Sequence, residues 1–207
     1  MNKKKIAVCL LLLVLLYLLF RKRGLAEFLI FTFSMVVHEG FHLITACLIG
    51  VRIDSLTPSF LGFKLQYETQ AISPWRSVLL YLSGPLGNFL FAAVIFALST
   101  VVYVPEAAFF IFYNLLFAVV NLIPAYPLDA ARAIAALLSR PLGQVSSVKV
   151  VSYLSYLISL LMFLSGMYLF IFRTDNILLM VMAIFLMRST QRELNNARMT
   201  YLMGLKI

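Results

Sequence analysis

The chain is a succession of apolar runs parted by short polar connectors, and this pattern most narrows what it can fold into. The runs fall at about 6–20, 25–50, 77–103, 107–138, 150–172 and 176–188. A helix needs roughly 20 apolar residues to cross a bilayer. In lipid the backbone must satisfy its own hydrogen bonds, so such runs fold as helices. Composition agrees: 63% of residues are hydrophobic and 12% charged, where soluble domains hold about 45–50% and about 25%. A water-soluble globule is excluded. The expected class is an all-α polytopic membrane protein of about six transmembrane helices, read as a single domain over 1–207 with its core at 25–140.

The first run is short. Its length of 15 residues reaches roughly 22 Å across a core of ~30 Å. Lys3–Lys5 and Arg21–Arg23 at its ends can snorkel to cover the deficit. The run ends in Arg21-Lys22-Arg23, not in a small-residue cleavage site, so an uncleaved span is expected instead of a signal peptide.

The net charge of +9, from 17 basic and 8 acidic residues, sits in the connectors. That is how topology is written, and nucleic-acid binding is not expected. With six spans, thirteen basic residues fall on one side; only Arg21, Lys22, Arg23 and Arg173 fall on the other. The imbalance puts both termini in the cytosol. Cys9 and Cys47 lie inside apolar runs and make no disulfide framework.

One connector, 51–76, is substantial. Phe63, Leu65 and Tyr67 alternate with Lys64, Gln66 and Glu68, and Val51 and Ile53 alternate with Arg52 and Asp54. Period-two alternation predicts a short β-ribbon at the cytosolic membrane face, punctuated by Thr57-Pro58 and Gly62.

The chain's two histidines are His38 and His42, within His38-Glu39-Gly40-Phe41-His42. This is the HExxH pattern. Residues four apart share one helix face, so both imidazoles can reach one Zn²⁺ ion. Glu39, on the same turn, is placed to act on water as a base, not to ligate. The competing reading is a pair of polar core histidines with a buried acid. It must explain three ionisable groups in five residues of a membrane helix, each costing about 2.5 kcal/mol or more. The metal reading is preferred.

A catalytic zinc takes three protein ligands and an open position. Cys47 follows His38 by nine residues and faces away, about 180° round the helix. Asp54 belongs to the ribbon, Glu68 to the polar loop and Glu106 to the opposite side of the membrane. Asp129 is the acid in an apolar setting at matching depth. It ends the segment NLIPAYPLD, residues 121–129, whose Pro124 and Pro127 break the fourth span. A broken helix at membrane depth is tolerated where it is buried or lines a water-accessible cavity. The alternative for Asp129 is an N-cap of a helix over 130–139, paired with Arg132.

HExxH in one span and Asn-x-x-Pro-x-x-Pro-Leu-Asp in a later one resemble the site-2 protease family of intramembrane zinc metalloproteases. The resemblance is closest to the bacterial subgroup holding the sporulation enzyme that processes a pro-sigma factor, with six spans and cytosolic termini. Ser83-Gly84-Pro85-Leu86-Gly87-Asn88 is similar to the family's Gly-Pro-x-x-Asn motif, where small residues allow close helix packing. The resemblance implies His38, His42 and Asp129 as ligands of one Zn²⁺ and Glu39 as general base. It also implies Asn121 and Pro127 as shapers of a substrate cleft; a helix–helix hydrogen bond and a plain kink are the bland alternatives for those two. Where the family commonly has Gly-Gly, this chain has Ala130-Ala131. Neither a CBS nor a PDZ domain is expected.

The expected function is hydrolysis of a peptide bond in or beside a transmembrane segment of a protein substrate, near the cytosolic face of a bacterial cytoplasmic membrane. The expected partners are that substrate and the lipid bilayer, with a regulatory membrane protein or a second copy compatible. A catalytically silent scaffold that kept the fold is the alternative. A retained Glu39 speaks against it, because a metal binder needs ligands but no base. A metal transporter would string ligands along a path instead of gathering them at one point.

Overall fold

The computed structural model describes residues 24–51, 53–59, 62–67, 72–172 and 177–202. The expected first span at 6–20 lies outside them. The chain divides into two compact units, Met1–Ala71 with Ser83–Val119, and Ile72–Leu82 with Val120–Ile207.

The first unit begins with α1, Leu25–Leu48. Its buried residues are Glu27, Ile30, Ser34, His38, His42 and Ala46, a stripe at three- and four-residue spacing. Leu29, Phe33, Val36 and Ile44 on the other faces are exposed. The usual amphipathic order is inverted: polar groups point inward and large apolar ones outward. Hydrocarbon solvates leucine and phenylalanine but not carboxylates and imidazoles, so this is the order a bilayer imposes. α1 stops at Gly50, whose φ is +69°. Val51 N–H donates to the Ala46 carbonyl at 2.9 Å and Gly50 N–H to that of Cys47 at 3.2 Å, a Schellman closure that only glycine enters without strain.

Two antiparallel strands follow, β1 over Ile53–Ser59 and β2 over Gly62–Tyr67. Leu56 pairs with Leu65 and Ile53 with Tyr67, with an irregularity between Ile53 and Ser55. Helix α2, Pro74–Ser99, runs from the second unit into the first. Helix α3, Ala107–Asn121, lies against α1 through aromatic contacts: Phe31 meets Tyr113 edge-on at 5.4 Å and Phe117 at 5.1 Å. The Tyr113 hydroxyl donates to the buried Glu27 carboxylate.

In the second unit, residues 122–128 are non-helical, and α4, Asp129–Leu142, starts directly after them. Helices α5, Gln144–Phe172, and α6, Leu178–Leu202, complete it. The break is anchored by packing: Ala125 and Leu128 bury against Leu186, and Tyr126 and Ala131 against Val151.

Three described helices, α1, α2 and α5, are long and apolar enough to cross a membrane. Against an expectation of six spans, the fourth run appears as the 15-residue α3 and the separate α4. Helix α6 turns polar from Arg188 onward.

Candidate metal centre

One turn of α1 sets the geometry. His38 and His42 are each 5% exposed. Their Nε2 atoms lie 3.3 Å apart with the rings nearly perpendicular. Two imidazole nitrogens about 2.0–2.1 Å from a tetrahedral zinc stand about 3.3–3.4 Å from each other. The pair already has the separation that one zinc ion requires, so these residues fit the metal. Glu39, between them in sequence, is half-buried.

α2 supplies the wall. Gly84 faces the imidazoles so closely that a Cβ there would sit 2.8 Å from His38 Cε1 and nearer still to His42 Nε2. Gly87 faces Phe41 in the same way. The small residues at 84 and 87 therefore let α2 approach α1 at the histidines. Ser83 Oγ is 3.3 Å from His42 Nδ1. Asn88, with no exposed surface, places its Oδ1 2.7 Å from His38 Nδ1.

Asp129 belongs to the second unit. It is buried, and it is the first residue of α4 with Leu128 as the cap residue. A carboxylate in a helix's first turn is favoured by the unsatisfied N–H groups there. The Arg132 guanidinium reaches Glu193 at 3.7 Å and lies 6.0 Å from the Tyr81 ring centroid. Tyr126 N–H donates to Ser155 Oγ at 3.1 Å, fixing the chain just before Asp129. The methyl groups of Ala130 and Ala131, where the family resemblance implies glycines, are buried. Ala131 packs against Tyr126 and Val151. The histidine pair is thus complete within the first unit, and the acid expected beside it stands at a helix start in the second.

Asn121 ends α3 and is half-buried, as is Pro127 in the non-helical segment, where it follows a cis peptide bond. Cys47 is exposed. Glu106 stands in the turn before α3 with φ 56°. Reading the sequence missed Ser34 and Asn114, which back Asn88. Their signal was present: Ser34 is one turn before His38 on its face, and Asn114 is the single amide between Ala107 and Val120.

No family model matches the chain. In sequence it is similar to a zinc metalloprotease of Methanocaldococcus jannaschii, 26% identical over 171 residues that cover 80% of this chain and 48% of that protein. The chain thus spans about half the length of that curated relative. In fold it is similar to the solved site-2 protease from Methanocaldococcus jannaschii, with a TM-score of 0.71 and 25% identity, covering 89% of this chain and 87% of that one. In sequence and in fold the chain is thus similar to these two Methanocaldococcus jannaschii proteases.

Proposed function

We propose that this chain is an intramembrane zinc metalloprotease that hydrolyses a peptide bond in or next to a transmembrane segment of a protein substrate, near the cytosolic face. The observation that carries the reading is the 3.3 Å convergence of His38 and His42 Nε2 in an HExxH turn. Asp129 serves as the third ligand, its carboxylate supplying the charge that two neutral imidazoles lack. One zinc is held per chain. When bound, zinc supplies Lewis-acid chemistry, acidifying a water and polarising a carbonyl.

The chain's own residues do the rest. Glu39 takes a proton from the attacking water and passes it to the departing amine nitrogen as the carbon–nitrogen bond breaks. Asn121 and Pro127 shape the cleft that receives the substrate. A helical substrate shields its carbonyls, so it must unwind before cleavage. The edges of the two-stranded β1–β2 ribbon offer an unwound segment main-chain hydrogen bonds by strand addition. Both termini lie in the cytosol at a bacterial cytoplasmic membrane, and the motifs resemble those of the sporulation subgroup. The substrate is a membrane protein; a regulatory membrane partner or a second copy of the chain is compatible with this reading.

The test is zinc analysis of the purified full chain, beside cleavage of a reconstituted membrane substrate by wild type and Glu39→Gln. The expected result is stoichiometric zinc in both and cleavage in wild type alone. Active protein without zinc would overturn the reading, and cleavage in the outer third of the substrate's span would overturn the orientation.

A further inference from the structure

Behind His38 lies a closed set of hydrogen bonds among groups with almost no exposed surface. Asn88 Nδ2 donates to the Ser34 carbonyl at 3.0 Å and to Asn114 Oδ1 at 2.7 Å. Asn114 Nδ2 donates to the Phe110 carbonyl at 2.8 Å and to Ser34 Oγ at 2.9 Å. Ser34 gives its single hydroxyl proton to the Ile30 carbonyl at 2.9 Å, so toward Asn114 it accepts. Asn88, Asn114 and Ser34 are each 0% exposed. Each amide proton of both asparagines has a partner, and each donor has one place to go.

An amide can turn over, exchanging its oxygen and nitrogen. Here it cannot. Turning Asn114 would set its oxygen against the Phe110 carbonyl, and turning Asn88 would set its oxygen against the Ser34 carbonyl. Backbone carbonyls only accept, so either turn buries two facing acceptors without a proton between them, which is heavily penalised in a dry interior. Asn88 Oδ1 must therefore be the atom at His38. It too only accepts, so the proton of a neutral His38 must sit on Nδ1. That leaves Nε2 unprotonated, able to accept where His42 Nε2 lies 3.3 Å away.

We propose that the Ser34 and Phe110 carbonyls, acting through Asn114 and Asn88, fix the tautomer of His38 and so preset its Nε2 as a metal ligand. Asn88 and Asn114 are positioning residues. Asn114 acts on the histidine only through Asn88. The inference rests on the reading of His38 as a ligand. It adds that the metal-free ligand is preorganised from a third helix, α3, before any metal arrives. Outer groups that orient a ligating histidine typically contribute about 10–100-fold in metal affinity.

The chain has two histidines, so ¹⁵N-histidine labelling of the full chain in detergent micelles gives two ring systems, assigned with a His42→Gln protein. In zinc-free wild type the expected state of His38 is a protonated Nδ1 and an unprotonated Nε2. A protonated Nε2 there would overturn the proposal, and this measurement needs no substitution in the network. Asn114→Leu removes one of the two acceptors that hold Asn88 and weakens its orientation, leaving the Ser34 carbonyl alone against a turn. It should give a mixture of His38 tautomers and zinc affinity lower by about 10–100-fold in competition with a chelator. Asn114→Asp, protonated in this buried place, keeps an acceptor toward Asn88 and an O–H toward the Phe110 carbonyl, and should restore the single tautomer. A single tautomer and zinc affinity within about twofold of wild type in a folded Asn114→Leu protein would overturn the proposal. Cleavage enters neither readout. A chain that shows the tautomer but cuts nothing would defeat the proposed function and leave this inference standing.

Discussion

Gly84 and His42 stand so close that no side chain fits between them: a Cβ on Gly84 would fall inside van der Waals contact of the imidazole. The paired histidines of α1 are thus held against a helix wall stripped to its backbone. Gly84→Ala should force the rings aside. Overpacking by a methyl costs about 1–3 kcal/mol, and taken up as distorted ligand geometry this is roughly 5- to 150-fold in zinc affinity. Gly40, inside the HExxH turn, is different: a Cβ added there would meet nothing within 4 Å. Gly40→Ala should leave zinc affinity unchanged and stabilise α1 by about 0.5–1 kcal/mol. Chelator competition and thermal melts on the two variants check the contrast; equal zinc loss in both would refute it.

Glu39→Gln preserves shape but removes the proposed base. Zinc content should stay at the wild-type level while cleavage falls by about 10²–10⁴-fold. Metal analysis and a timed cleavage assay on the same preparation read both. Wild-type rates in Glu39→Gln would favour a role without proteolysis.

Asp129→Ala removes a proposed ligand itself instead of a group that orients one. Zinc affinity should drop by more than the roughly 10–100-fold typical of outer groups. Removing zinc with a chelator should abolish cleavage in wild type and leave helix content by circular dichroism unchanged, because the chain on either side of Asp129 is held by Tyr126 and Ala131 packing against Val151. Full zinc occupancy in Asp129→Ala under competition would strike Asp129 from the ligand set.

Leu65→Pro places a residue without an N–H in β2. If the ribbon holds the substrate by strand addition, cleavage should fall at least about tenfold with zinc unchanged. Unaltered cleavage would remove the ribbon from substrate binding.

The sequence by itself carried the class of the protein and half of its site. A chain with so few charges must fold as helices in lipid, because every backbone group needs a partner there. His38 and His42 were legible because helical periodicity alone puts residues four apart on one face. The breaking of the fourth run was legible from Pro124 and Pro127, since proline cannot continue a helix's hydrogen bonding. What periodicity cannot give is a contact between residues far apart in the chain. Only the tertiary structure set Asn88, 50 residues away, against His38 and Asn114, 26 residues further, behind Asn88. Only it showed that Gly84 is small because two imidazoles occupy the space. A local pattern reports which face a side chain takes, whereas the partner on that face depends on which helices pack, and that is decided by the fold as a whole.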